Sequence, residues 1–317
     1  MRGAGGATAV ADGPDTPRRG PAVAEFDILL PFYGPSDQFE EAVRSVLAQS
    51  HGDFRLLCVD DHYPSLEPRD WLLSLGDPRI EYVRNDRNLG VAGNFSRCLE
   101  LAQADWFVMM GGDDIMLPGY LETMSRQLHA HPGVDIIQLG VEVIDAGGRP
   151  SRPLGDVVKA VLRPRTRGAS VVIEGEAMAK SLARADWAYF PSLLWRTSTA
   201  RRIGFDTTFA IALDLSLLLD IALDGGRMLI ADDLVFRYRR HAASASAAGT
   251  HGDVRFTQEA MLLDAYARRF AARGWHGAAR TARARLIPRL NALVSAAAAL
   301  ARGRGSQARR YLRHVFA

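Results

Sequence analysis

A chain of 317 residues with 39 basic and 36 acidic side chains is too evenly charged for a general nucleic-acid binder, although its isoelectric point of about 9.0 tolerates anionic ligands. Its 48% hydrophobic and 24% charged residues are ordinary for a globular protein and suffice for one large domain or two moderate ones. The two cysteines, Cys58 in LLCVD and Cys98 in NFSRCLEL, lack CxxC spacing and read as reduced core thiols, which leaves no zinc site.

Residues 1–24, rich in Gly, Ala, Pro and charge, read as a flexible tail with no apolar core of signal-peptide length. FDILLPF then reads as a strand closed by Pro31. In SDQFEEAVRSVLAQS, Phe39, Val43, Val46 and Leu47 have helical spacing, with Ser36 and Asp37 as the cap. FRLLCVDD (strand), PRDWLLSL (short helix), IEYVRN (strand), GVAGNFSRCLELAQA (helix), DWFVMMGG (strand), LPGYLETMSRQLHAH (helix) and VDIIQLGVEVID (strand) follow. Residues 151–170, containing RPRTRG, read as a basic loop. After it come a helix in EGEAMAKSLARA, a strand in YFPSLLWR, a helix in ALDLSLLLDIALDGG and an extended MLIADDLVFRYRRH. From Thr257 onward three Ala- and Arg-rich helices are expected. The alternation predicts an α/β fold: a mostly parallel sheet with helices on both faces, plus a C-terminal helical subdomain. In such sheets ligands bind beyond the carboxyl ends of the strands. That gathers 31–33, 60–62, Asn85 and 111–114 around one crevice. The uncharged run LNALVSAAAALA is shorter than the roughly 20 residues of a membrane span, so a soluble or peripheral protein is expected.

Four constellations carry chemistry. Asp113 and Asp114 follow a buried strand and two glycines. Adjacent carboxylates repel, and either a hard dication or a helix-capping turn accounts for them. Gly111 and Gly112 would let a phosphate approach the backbone. Asp60–Asp61 ends another strand, fit for nucleoside contacts or for turn chemistry. Asp214 opens an apolar helix, either as a tuned base or as simple complement to the helix dipole. Tyr238, Arg239, Arg240 and His241 form a basic, aromatic cluster suited to diphosphate oxygens, although His241 reads equally as an ordinary exposed histidine. No GxGxxG follows the first strand, and neither GxxxxGK[ST] nor GxSxG occurs.

In order and spacing these motifs resemble family 2 glycosyltransferases with the GT-A fold, over roughly residues 26–246. The carriers are LLPFYG, Ser45 and Gln49 in SVLAQSHGDF, VDDHY, Asn88, Gly90 and Asn94 in NLGVAGNF, GGDDIMLP, Leu213–Asp214, and YRRHAASAS with Ser244 and Ser246. The resemblance implies nucleotide-sugar contacts at Pro31, Tyr33, Asp61, Asn88, Asn94, Gly112, Asp113 and Arg239. It implies Mg²⁺ or Mn²⁺ at Asp113, with Asp114 and His241 in support, and a catalytic base at Asp214. It also implies a tail at 1–24, a catalytic domain at 25–250 with a nucleotide-sugar half (25–145) and an acceptor half (150–250), and a helical region at 251–317.

The implied reaction is a single inverting displacement: Asp214 takes the proton of an acceptor hydroxyl, which attacks a UDP-, dTDP- or GDP-linked sugar. The setting would be cytoplasmic polysaccharide or glycoconjugate synthesis. The acceptor is a saccharide or lipid-linked saccharide, with no nucleic-acid partner, and the Arg-rich C-terminal helices allow peripheral membrane contact. Trp187, Tyr189 and Trp195 are candidates to stack on a sugar, with at least two of them expected in the core. Gly111 stands where the family has its first metal-motif acid, Leu213 precedes the base where the family has Glu, Ser216 replaces a frequent acid, and His62–Tyr63 replaces Gly-Ser. A sugar nucleotidyltransferase, or a nucleotide-sugar-binding protein without turnover, remain as alternatives.

Overall fold

Short, near-continuous apolar runs become the strands of one sheet, and their amphipathic connections cover both of its faces. The structure, a computed structural model, describes residues 23–34, 37–166, 168–209, 212–240 and 252–316. In chain order the first half holds β1 (Phe26–Phe32), α1 (Asp37–Leu47), β2 (Phe54–Asp60), α2 (Glu67–Ser74), β3 (Ile80–Arg84), α3 (Gly90–Leu101) and β4 (Trp106–Met109). The second holds β5 (Ile115–Met116), α4 (Tyr120–Ala130), β6 (Ile136–Ile144), α5 (Leu154–Leu162), β7 (Ser170–Glu174), α6 (Gly175–Ala185), β8 (Leu193–Arg196), α7 (Thr197–Ile203), α8 (Leu213–Leu223) and β9 (Arg227–Arg239). Four helices close the chain: α9 (Gly252–Ala272), α10 (His276–Ala284), α11 (Leu286–Ala301) and α12 (Gly305–Phe316).

The sheet order is β3-β2-β1-β4-β8-β6-β9-β5, with β7 also on β9. β1 to β4 pair in parallel; β1, β2 and β4 are mostly apolar and buried, whereas β3, at the sheet edge, reads IEYVR and is only half-buried. Beyond β4 the sheet is mixed: β8 runs antiparallel to both β4 and β6, while β6 and β9 are parallel. Alternate residues of one strand feed opposite layers. Leu29, Leu57 and Val59 pack with α6, α8 and α9, whereas Ile28, Leu30 and Cys58 pack with α1 and α4. Leu262, Leu263, Tyr266 and Phe270 of α9 share the first of these cores, so the start of the C-terminal helical region is built into the sheet's own packing. Cys58 and Cys98 are buried and unbridged.

Three local readings are corrected. Residues 154–162, read within a loop, form α5. Its apolar Leu154, Val157 and Val161 face outward and its buried side chain is Asp156, which inverts the usual signal. α7, β5 and β7 also went unread. The second C-terminal helix is two helices, broken at Arg285, whose φ of 47° is left-handed. Ser36 lies outside the described residues.

The Ser45/Gln49 pair has a plain structural job. Gln49 is buried and donates from Nε2 to the Leu117 carbonyl at 2.8 Å, while its Oε1 accepts the Leu121 N–H at 3.1 Å. Ser45 Oγ accepts the Met116 N–H at 3.1 Å. Together they fasten α1 to the segment that leaves the Asp113–Asp114 turn. Gln49→Ala would strand two buried backbone groups and is expected to cost about 2 kcal/mol of stability, read by urea unfolding.

Candidate active site

The carboxyl ends of β1, β2, β3 and β4 do converge. At the β2 end, Asp61 Oδ1 accepts the Asn85 Nδ2–H at 2.9 Å and the Leu89 N–H at 2.7 Å. Asn85 also donates to Asn94 Oδ1 at 3.0 Å, and Asn94 Nδ2 donates to the Val59 carbonyl at 3.1 Å. Asp60, fully buried, accepts from the Tyr63 N–H and from the Tyr82 hydroxyl at 2.8 and 2.7 Å. This network fixes the Asp61 carboxylate, buried at the carboxyl end of β2. Its Oδ2 makes no hydrogen bond among the described residues. Tyr33 is exposed and meets Tyr63 edge-on, with centroids 5.3 Å apart. Pro31 is half-buried in β1. Asn88 is exposed and accepts the Gly90 N–H at 2.9 Å, closing the turn into α3.

The turn after β4 holds the acid pair. Asp114 is only 1% exposed; its Oδ1 accepts the Arg239 backbone N–H at 2.8 Å, and its Oδ2 is buried with no hydrogen-bond partner among the described residues. Burial, then the Asp113 charge, raise the Asp114 carboxyl well above the usual carboxylate range, against the pull of the Arg239 N–H. A Cβ on Gly111 would stand 2.6 Å from Asp114 Oδ2 and 2.9 Å from Asp113 Oδ1. Both carboxylates therefore fold back over Gly111, into the space a side chain would fill. An orphaned buried oxygen beside a second carboxylate fits one face of a dication shell, which Mg²⁺ commonly completes with water and phosphate. Among the described residues no group of three His, Cys, Asp or Glu side chains forms a full protein site. His241, Ser244 and Ser246 lie outside the described residues.

Two expected donor contacts are turned inward. Asn94 is buried in the Asp61 network. Arg239, 2% exposed, donates from Nε to the Asp113 carbonyl at 2.7 Å, from Nη2 to Glu41 at 2.5 Å and from Nη1 to the Ala146 carbonyl at 3.1 Å. Its guanidinium is consumed in bracing the acid turn and does not face the crevice.

Asp214 sits in the first turn of α8 and lines a cavity of about 130 Å³. Its neighbours there include Lys159, Asp186, Tyr189, Tyr238 and Arg240. Burial, then the Asp186 charge, push the Asp214 carboxyl up to about 7; the Leu215 N–H at 2.9 Å and Lys159 oppose the shift. Asp186 caps α6 in a left-handed conformation at φ 40°, which Asp tolerates better than most residues. Its Oδ1 is buried without a hydrogen-bond partner among the described residues, and Lys159 Nζ lies 3.9 Å from its Oδ2. Arg240 and Tyr189 are held in the wall by buried Asp156, through a 2.6 Å ion pair and a 3.0 Å hydrogen bond. Trp187 and Trp195 are core residues, and of the three aromatics only Tyr189 reaches the cavity. Asp186, Lys159 and Asp156 escaped the sequence reading, because none lies in a motif and two come from the unread helix α5.

Acids gathered at the ends of parallel strands, with a carboxylate poised near neutrality on a separate helix, make an α/β architecture of the glycosyltransferase class. The chain belongs to the family "Glycosyl transferase family 2", whose model matches residues 27–187. It is 27% identical to the uncharacterized protein MT1568 of Mycobacterium tuberculosis over 71% of this chain and 69% of that one. It is 24% identical to the succinoglycan biosynthesis protein ExoO of Rhizobium meliloti over 71% of this chain and 63%, under two thirds, of ExoO. Among solved structures, S. aureus TarS 1–349 in complex with UDP-GlcNAc superposes with a TM-score of 0.58 at 13% identity, over 75% of this chain and 65% of that one. The mannosyltransferase PcManGT from Pyrobaculum calidifontis, in complex with GDP-Man and Mn²⁺, gives 0.56 at 18% identity over 93% and 86%. These likenesses show the fold, the GT-A arrangement.

Gly111→Ala is expected to cost about 1–3 kcal/mol, since Asp114 cannot yield without leaving the Arg239 N–H. Gly112→Ala meets only Phe39 Cδ2 at an ordinary 3.7 Å and should cost less. Thermal melting of the two variants side by side reads the difference.

Proposed function

We propose that the protein is a metal-dependent inverting glycosyltransferase that moves a sugar from a nucleoside-diphospho-sugar to an acceptor hydroxyl, in the cytoplasmic synthesis of a polysaccharide or glycoconjugate. The observation that carries this reading is the place of Asp214: in the first turn of α8 it lines a small polar cavity, where burial and the Asp186 charge raise its carboxyl and suit it to take a proton. The succinoglycan role in the name of ExoO and the nucleotide sugars in the TarS and PcManGT complexes support the substrate class.

In this reading Asp61 and Tyr33 receive the nucleoside at the ends of β1 and β2. Asp113, with Asp114 Oδ2 behind it, would hold the cation, which supplies positive charge to the departing diphosphate when bound. Asp214 takes the acceptor proton. The acceptor oxygen forms its bond to the anomeric carbon as the bond to the diphosphate oxygen breaks, and the nucleoside diphosphate leaves with inversion. Lys159 and Asp186 orient the acceptor hydroxyls and set the charge around the base. One base suffices, in contrast to the carboxyl pair of a glycosidase.

Because the base acts only when ionised, turnover should rise with pH through about 7. Asp186→Asn removes the like charge and should move that limb to lower pH, by about one unit. Asp214→Asn should lower kcat about 10²- to 10⁴-fold with donor binding retained. The assay scores release of nucleoside diphosphate from a panel of UDP-, dTDP- and GDP-sugars with Mn²⁺. Pyrophosphate release would mark nucleotidyl transfer instead, full activity of Asp214→Asn would remove the base assignment, and donor binding indifferent to EDTA would remove the cation from Asp113.

A further inference from the structure

α11 is built with its faces reversed for a core helix. Its inward residues are small, Pro288, Ala292, Ala296 and Ala299, all buried. Its large apolar residues, Leu286, Leu290, Leu293, Val294 and Leu300, face outward, with Leu286 71% exposed. They fall at positions i, i+4, i+7, i+8 and i+14, which lie on one side of a helix and form one stripe along it. No charged residue lies between Arg289 and Arg302. α11 packs chiefly against α12 and touches α6 and α9, and the stripe lies on the side those contacts leave open.

Arginine surrounds this stripe. Residues 252–317 contain 13 arginines, no lysine and three acids, a formal excess of +10 in a chain whose total is +3. The preceding 251 residues therefore carry −7. Arg302, Arg304, Arg309 and Arg310 are exposed around the turn between α11 and α12 and at the start of α12. α12 ends on Phe316, 83% exposed, in a shallow depression shared with Arg309, Leu312 and Arg313.

We propose that α11 and α12 are an interfacial anchor that lies on an anionic lipid bilayer. An uncovered leucine stripe alone would also suit a second copy, but that would press the exposed Arg302, Arg304, Arg309 and Arg310 against their own counterparts. A stripe set within arginines matches a surface that is apolar beneath and anionic at the headgroups: leucine and valine enter the acyl boundary, and guanidinium groups meet phosphate. The run His276–Ala301 is long and apolar enough to cross a bilayer by length and composition. Arg285 breaks it at φ 47°, and the alanine face is committed to protein, so it lies along the surface instead. The anchor does not depend on the chemistry assigned to Asp214.

The test is sedimentation of the full chain with vesicles of phosphatidylcholine, alone or mixed equally with phosphatidylglycerol. Binding to the mixed vesicles should exceed binding to the neutral ones by about tenfold or more and should weaken in high salt. Leu290→Asp with Leu293→Asp should lower binding by at least about tenfold without changing the melting temperature, because both sites are exposed. Phe316→Asp, at the far end of the patch, is the second variant and should also weaken it. No binding to the mixed vesicles, or equal binding to both kinds, overturns the proposal. So does undiminished binding by both variants, which would reduce it to bare polyanion adhesion. A lipid-free dimer in light scattering that the Leu290/Leu293 variant dissolves would assign the stripe to a second copy and overturn it as well.

Discussion

The hydrogen bond from the Arg239 backbone N–H to Asp114 Oδ1 joins the two halves of this site. It ties the end of β9 to the turn after β4, although β8 and β6 lie between those strands in the sheet. Successive residues of a strand point to opposite faces. Arg239 therefore turns toward the acid pair, while Tyr238 and Arg240 line the cavity of Asp214. One strand end thus sets the acid turn and the Asp214 cavity in a single frame. The arrangement requires a buried carboxyl at 114, and that carboxyl requires the bare Cα of Gly111. Where the family resemblance implies a third acid, this chain has the space its two remaining acids occupy.

Burial and a like charge raise both Asp114 and Asp214, yet their surroundings give them different chemistry. Asp114 is sealed, with one oxygen on a backbone N–H and the other unpartnered. Burial and the Asp113 charge disfavour its ionised form, against the pull of Arg239. Asp214 opens onto a cavity with Lys159 and the Leu215 N–H beside it, which hold its carboxyl near neutrality. Both acids have a cation nearby, Arg239 for Asp114 and Lys159 for Asp214, so what separates them is the cavity onto which Asp214 opens.

The strand ends were legible because parallel strands, buried on both faces, must be continuously apolar, and each such run stops at the crevice. The acid turn, Asp61 and Asp214 were legible as spaced motifs. Orientation was not. Arg239 stood out as one of a basic cluster, but its partners Glu41, Asp113 and Ala146 are distant in sequence, and only the fold reveals that they use up its guanidinium. Asp156 and Lys159 lie in α5, outside every motif, so nothing in the sequence joined them to the cavity wall. α11 was read as helical, but its reversal was invisible because alanine and leucine count alike in an apolar pattern; only burial distinguishes them.

α6 connects the cavity to the anchor. Its C-terminal cap is Asp186, in the cavity wall, and Glu176 in its first turn accepts the Gly277 and Ala278 N–H groups at 2.6 and 3.0 Å, capping α10. An 11-residue helix is about 16 Å long and stiff, so the cavity and the start of the C-terminal helices are held at a fixed spacing. α11 rests on the same helix. A bilayer under α11 would therefore lie at a set distance and angle from Asp214. An acceptor carried by a lipid would be presented to the base from one side only, and the reach of its head group, together with the lining of the cavity, would select it.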